Sequence, residues 1–370
     1  LRDLESAWNQ AGDGDRIELT HSRPLEIGLL KLSGRHLTLV GASRERPIVL
    51  FNLPEAPQAG KGLVQIEQAG LAIEGVDFYV DLTKRTTPDP EVVLFELARS
   101  DLRLVDSSIT VISGAVEGRS PVTAIKVVGE NPWDTKARGD PPAAVQVDIR
   151  NSLIRGPHTA IYVDSRQAAI RLENSIVCSP GTGLYLFHTR PLEFAHHSLM
   201  LEVGACTFDT SRPLVTIECR PYELTPVRMD MKVRGSIIGR SSQGDPKPPQ
   251  ILWQSPVQDQ QISAAIRWTG EGNCYVQRGE TLKAKSPGGP EIVYVQSPAD
   301  WQRLGLGEES RWLSPTKGIV FPAGPWHRRT PSGYSVNPLQ FASEKRAISR
   351  DQRFGADAKQ VANPRPIAQR

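Results

Sequence analysis

Cysteine is scarce and scattered in this chain. Cys178, Cys206, Cys219 and Cys274 are the only four in 370 residues, none forms a CxxC pair, and none has histidine at zinc-finger spacing. A structural metal site is therefore not expected. Packed free thiols are, with a disulfide between neighbouring coils as the alternative. Charge of one sign is missing too. A net charge of +3 with 23% charged residues offers no field that would recruit nucleic acid or an anionic membrane surface. No window approaches 18 uninterrupted apolar residues, so no membrane span is expected. The chain opens at Leu1 without Met or a signal peptide. That start suggests a mature product or a fragment; the compartment stays open, with an extracytoplasmic one favoured.

What is present is repetition. Gly and Pro number 31 and 30, as in a turn-rich β protein. Residues 147–163 are answered by 170–186 at a constant shift of 23, with Asn151/Asn174, Ser152/Ser175, Pro157/Pro180, Thr159/Thr182 and Tyr162/Tyr185 identical. The apolar positions are conservative as well: Val147/Ile170, Ile149/Leu172, Ile154/Val177 and Ile161/Leu184. A fixed period built from short period-2 runs of β-branched residues predicts stacked coils of strands.

Paired apolar residues extend the repeat through Ile17/Leu19, Leu37/Leu39, Leu71/Ile73, Leu102/Leu104, Val147/Ile149, Ile170/Leu172, Leu201/Val203, Met231/Val233 and Ile266/Trp268. The steps are 20, 34, 31, 45, 23, 31, 30 and 35 residues. A coil of about 23 residues accounts for them, with the surplus looped out at 81–90, 128–142, 188–197 and 241–249. Four regions follow. Residues 1–15 form a helical cap with Leu1, Leu4 and Trp8 on one face, and 16–276 form about nine rungs. Residues 277–343 form an irregular C-terminal cap, in which Ser297-Pro298 starts a short helix and 291–295 and 318–321 are strands. Residues 344–370 form a polar tail or linker.

Asn-Ser at the turn, followed by paired aliphatics, resembles the rung pattern of the right-handed parallel β-helix, or pectate-lyase-like, superfamily across the first three quarters of the chain. The resemblance implies an all-β solenoid of single strands with turn Asn and Ser hydrogen-bonded up the stack. Gly272–Val276, Ser297–Trp301 with Glu308–Ser310, and Phe354–Asp357 are also similar to β-helix regions of large bacterial multidomain proteins, some carrying a serine/threonine kinase domain. No GxGxxG, HRD or DFG motif stands in this chain.

Candidate chemistry lies on outward positions. Arg103, Asp148, Arg171, Glu202, Lys232 and Arg267 recur between inward apolar residues as a ladder of mostly alternating charge, and Arg150/Glu173 form a second such pair. A second outward column holds Lys126, Tyr162, Tyr185 and Thr216, flanked by His158, Asp164, Arg166, His188 and Arg190. Aromatic and guanidinium groups in such a row suit a sugar polymer, and in the resembling enzymes the substrate groove follows the outer face of this strand. Ligand-binding candidates are Lys126, Tyr162, Tyr185 and Arg190; Asp164, Arg166 and His188 are the catalytic ones.

Departures from those enzymes weigh against catalysis. The Asn-Thr-Asp, Asp-Asp, Gly-His-Gly and Arg-Ile-Lys motifs of polygalacturonase-like hydrolases are absent. No cofactor is expected, and calcium lacks support: Phe187 follows Asp164 at the next rung, with Glu218 only the rung after. Asp13-Gly14-Asp15 reads as a turn. The favoured function is a non-catalytic binding or interaction module of a larger bacterial protein, with a polysaccharide or another protein as partner. The alternatives are a lyase or hydrolase of an acidic polysaccharide, and a regulatory or sensor region of a kinase.

Overall fold

Short runs with one apolar face can bury it only against other runs, and here they do so by coiling around a shared lumen. The structure, a computed structural model, describes residues 4–42, 46–52, 61–83, 91–112, 122–129, 144–165, 167–188, 198–219, 228–239, 252–255, 266–276, 282–285, 291–294, 307–313, 319–320, 325–328, 330–331, 335–336, 356–357 and 359–364. It is an all-β parallel β-helix, with each rung contributing one strand to each of three sheets. Crossovers between parallel strands run right-handed as a rule.

The first sheet stacks Gly70–Glu74, Asp101–Val105, Val145–Arg150, Ala168–Glu173, Ser198–Gly204 and Arg228–Arg234 in parallel register. The second stacks Asp77–Asp81, Ser108–Ile112, Leu153–Arg155, Ile176–Ser179, Thr207–Thr210 and Ile237–Gly239. The third stacks Val92–Ala98, Val122–Val128, Thr159–Asp164, Thr182–His188, Val215–Cys219 and Leu252–Ser255. Stacking continues past Val276, where Gly307–Leu313 pairs in parallel with Ile266–Val276.

Among the described residues the lumen is lined by apolar side chains, and Ile149, Leu172, Val203 and Val233 line one column, none more than 3% exposed. At the open end the helix Leu4–Gln10 buries Leu4 and Trp8 over the first rung. Trp8 Nε1 donates to Lys31 O at 2.9 Å, and Arg35 caps the helix through Ala11 O and Trp8 O.

The corner between first and second sheets is the constant part of each rung. From the third rung it spans two residues: Gly75-Val76, Asp106-Ser107, Asn151-Ser152, Asn174-Ser175, Ala205-Cys206 and Gly235-Ser236. The first of each pair is left-handed, with φ of 68°, 47°, 48°, 45°, 48° and 55°. The second builds a buried ladder. Val76 N–H donates to Ser107 Oγ, Ser107 N–H to Ser152 Oγ, and Ser152 N–H to Ser175 Oγ. It continues with Cys206 N–H on Ser236 Oγ and Ser236 N–H on Asn273 Oδ1. Each serine hydroxyl donates in turn to the carbonyl two residues back, as Ser175 does to Glu173 O at 2.8 Å. Unpaired amides cannot be buried cheaply, and this ladder is how the corner avoids it. Asn174 Nδ2 also donates to Asn151 Oδ1 at 2.7 Å.

Two registers differ from the sequence expectation. Ile17 pairs with Leu39 rather than Leu37, and Met231 with Trp268 rather than Ile266, so those steps are 22 (39 − 17) and 37 (268 − 231). Arg267 accordingly lies opposite Asp230, not Lys232. Within the charged column the ion pair that closes between rungs is Glu202–Lys232 at 3.3 Å. Arg150 turns instead to Asp148 on its own strand at 2.8 Å. The expected helix at Ser297-Pro298 and most of the expected loops 81–90, 128–142, 188–197 and 241–249 lie outside the described residues, but Asp81, Val128 and His188 end strands rather than open loops.

The outer face of the second sheet is covered. Asp77, Tyr79, Ser108, Thr110, Leu153, Arg155, Ile176, Cys178, Thr207 and Asp209 are all buried although they point away from the lumen. Part of the cover comes from the C-terminal region: the turn Trp326–Arg328 packs on Ser108–Ile112, and Val361 packs among Leu153, Ile176 and Cys178.

Candidate functional site

The third sheet carries the aromatic column. Strand pairing places Lys31, Gln65, Glu96, Lys126, Tyr162, Tyr185, Thr216 and Trp253 at equivalent positions on successive rungs. Aliphatic neighbours such as Ile161, Val163, Leu184 and Leu186 fill the lumen, and this turns the two tyrosines outward, half buried. Their rings stack at 5.4 Å between centroids with planes 7° apart.

Lys126 extends the stack downward, its Nζ lying over the Tyr162 ring 5.4 Å from the centroid. The same ammonium meets Glu91 Oε2 at 3.2 Å. Glu91 is itself held, because Thr123 Oγ1 donates to its Oε1 at 2.8 Å. One rung lower, Glu96 Oε2 accepts the Gly62 amide at 2.5 Å. Above Tyr185 the column narrows at Thr216, buried and hydroxyl to hydroxyl with Thr182 at 3.0 Å. The face therefore reads as a fixed ledge of cation, ring, ring, with the cation's charge matched from below.

Lys126, Tyr162 and Tyr185 are thus brought together. Asp164 ends the strand Thr159–Asp164, half buried, and its carbonyl accepts the Gly129 amide. His188 ends the strand Thr182–His188 opposite Cys219, its side chain lying outside the described residues, as do Arg166 and Arg190 altogether. His158 is half buried beside Gly181, and burial, with the Arg212 charge second, pushes its imidazole below the usual range, so it is neutral at pH 7. Asp13 and Asp15 serve their turn: Asp13 Oδ1 accepts the His36 amide and Asp15 Oδ2 the Gly12 amide. Among the described residues no three His, Cys, Asp or Glu side chains gather as metal ligands would.

Glu91 and Glu96 were not singled out from the sequence. Glu96 had a signal, one rung before Lys126 in the same column. Glu91 had none, since it precedes its strand and reaches Lys126 from below.

Fold and face together define a parallel β-helix protein with an aromatic–cationic ledge on one sheet. No protein-family model, curated protein or solved structure matches the chain.

Proposed function

We propose that this chain is a non-catalytic binding module of a larger bacterial protein, a pectate-lyase-like β-helix that holds an extended, hydroxyl-rich ligand such as a glycan along its third sheet. The observation that carries the reading is the Tyr162–Tyr185 stack with Lys126 over it. Groups locked by each other lose little freedom when a ligand arrives, which favours binding. The two rings turn a face toward each other, so the ligand meets ring edges and hydroxyls running along the axis. Glu91 balances Lys126, and that pairing favours a neutral glycan over a strongly acidic one.

The test is retention of neutral and acidic polysaccharides with and without calcium, with product analysis alongside. The expected outcome is retention without turnover, weakened by about 0.5–1.5 kcal/mol in Tyr162→Ala, compared at a temperature where parent and variant show the same circular dichroism. Unsaturated products or new reducing ends that vanish in Asp164→Ala or His188→Ala would replace it with the lyase or hydrolase reading.

A further inference from the structure

The helix at the open end seals one sheet edge and leaves another bare. Among the described residues, Arg16–Leu19 pairs only with His36–Gly41, and Leu30–Ser33 only with Gly62–Glu67, so each is an edge strand of its sheet. At the third-sheet edge the helix takes up main-chain groups itself. Trp8 Nε1 donates to Lys31 O at 2.9 Å, and Glu5 Oε1 accepts the Gly28 amide at 2.7 Å.

The first-sheet edge receives no such help. Asp15 and Leu19 turn their carbonyls up the stack, to the Thr38 amide at 2.9 Å and the Ala42 amide at 3.0 Å. Main-chain groups alternate sides along a strand, so those of Arg16 and Glu18 turn off the end. Among the described residues they meet no partner there. Beside them a groove of about 400 Å³ runs between helix and strand, floored by Leu4, Ala7, Ala11, Ile17, Leu19 and Leu25. The Arg16 and Glu18 side chains stand exposed on its rim.

We propose that this edge accepts an extended polypeptide segment of a partner protein, which adds to the first sheet as a further strand. The edge offers what strand addition requires: unpaired donors and acceptors every second residue, about 6.6 Å apart, and an apolar floor for alternate side chains. Charge selects the segment. A strand seated one spacing away, about 4.8 Å, sets one outward side chain against Arg16 and the next against Glu18. The segment that fits therefore carries an acid and a base there, with an apolar residue between them. The stack uses the same device between its own rungs, where Glu202 meets Lys232 at 3.3 Å. Charges on an edge also turn away uncharged strands.

The experiment titrates the full chain with a labelled peptide, Val-Glu-Val-Lys-Val-Thr, and follows hydrogen exchange at the Arg16 and Glu18 amides. Both should exchange freely in the protein alone and slow as the peptide binds saturably. Glu18→Pro removes an outward donor without costing the stack a hydrogen bond; it should weaken the peptide about tenfold at unchanged circular dichroism. Glu18→Lys leaves the main chain intact and carries the test if the proline variant fails to fold. It should bind this peptide more weakly, and bind better a peptide with glutamate in place of the lysine. No saturable binding up to about 1 mM, binding without protection of the two amides, or binding unaltered in both variants overturns the docking edge. A dimer of the parent that Glu18→Pro abolishes overturns the foreign segment as its occupant in favour of a second copy.

Discussion

Ala205 is the residue at which the corner rule is least comfortable. Its φ of +48° lies where L-residues with a Cβ are strained, and its counterparts on neighbouring rungs are Asn174 and Gly235. Ala205→Gly should therefore stabilise the fold by up to about 1 kcal/mol, read as a raised denaturation midpoint. Beside it, Cys206 stands where neighbouring rungs carry serine, and its Sγ contacts Gly204 O at 3.2 Å. Burial pushes its thiol from 9.0 up to about 12. The folded protein thus keeps a proton that the unfolded chain loses. The associated stability is complete below pH 9 and declines as pH rises toward 12, by up to about 1.4 kcal/mol per pH unit. Cys206→Ser should stay within about 1 kcal/mol of the parent at pH 7 and show a shallower alkaline loss in denaturant titrations from pH 8 to 11.

Among the elements, the first-sheet strands carry the lumen. Leu172→Asp places a charge in it and should cost several kcal/mol; an unchanged urea midpoint would contradict the inward assignment. These strands were also the most legible, since the 23-residue shift pairs Val147 with Ile170 and Ile149 with Leu172, as found. The two misplaced registers, at Ile17 and Met231, are slips of two residues. A slip of one turns every side chain to the wrong face, but a slip of two keeps the alternation intact and leaves no trace in it. The ledge was legible for the same reason the lumen was, because Tyr162 and Tyr185 repeat at the period. The second sheet was legible only as apolar runs. Strands such as Leu153–Arg155 and Ile176–Ser179 are buried on both faces, and what covers them stands far along the chain, beyond the reach of a local pattern.

Across the whole molecule, rungs speak to their neighbours first, so damage at one end should stay there. Trp8, 1% exposed, closes the first rung. Trp8→Ala should speed hydrogen exchange at Arg16–Leu19 while leaving Thr159–Asp164 and Thr182–His188 protected. Loss of protection at all three would mean that the stack opens as one unit.

The two-residue corner has a consequence for how such a chain can change. From the third rung on, every difference in rung length falls at the other two corners, while the Asn-Ser corner keeps both its span and its ladder. The molecule is in effect a bound book: one edge is stitched, and pages of any width can be added at the others. Segments exchanged at 84–90, 130–143 or 189–197 should therefore alter what the surface presents without disturbing the strand register that the stitched edge sets.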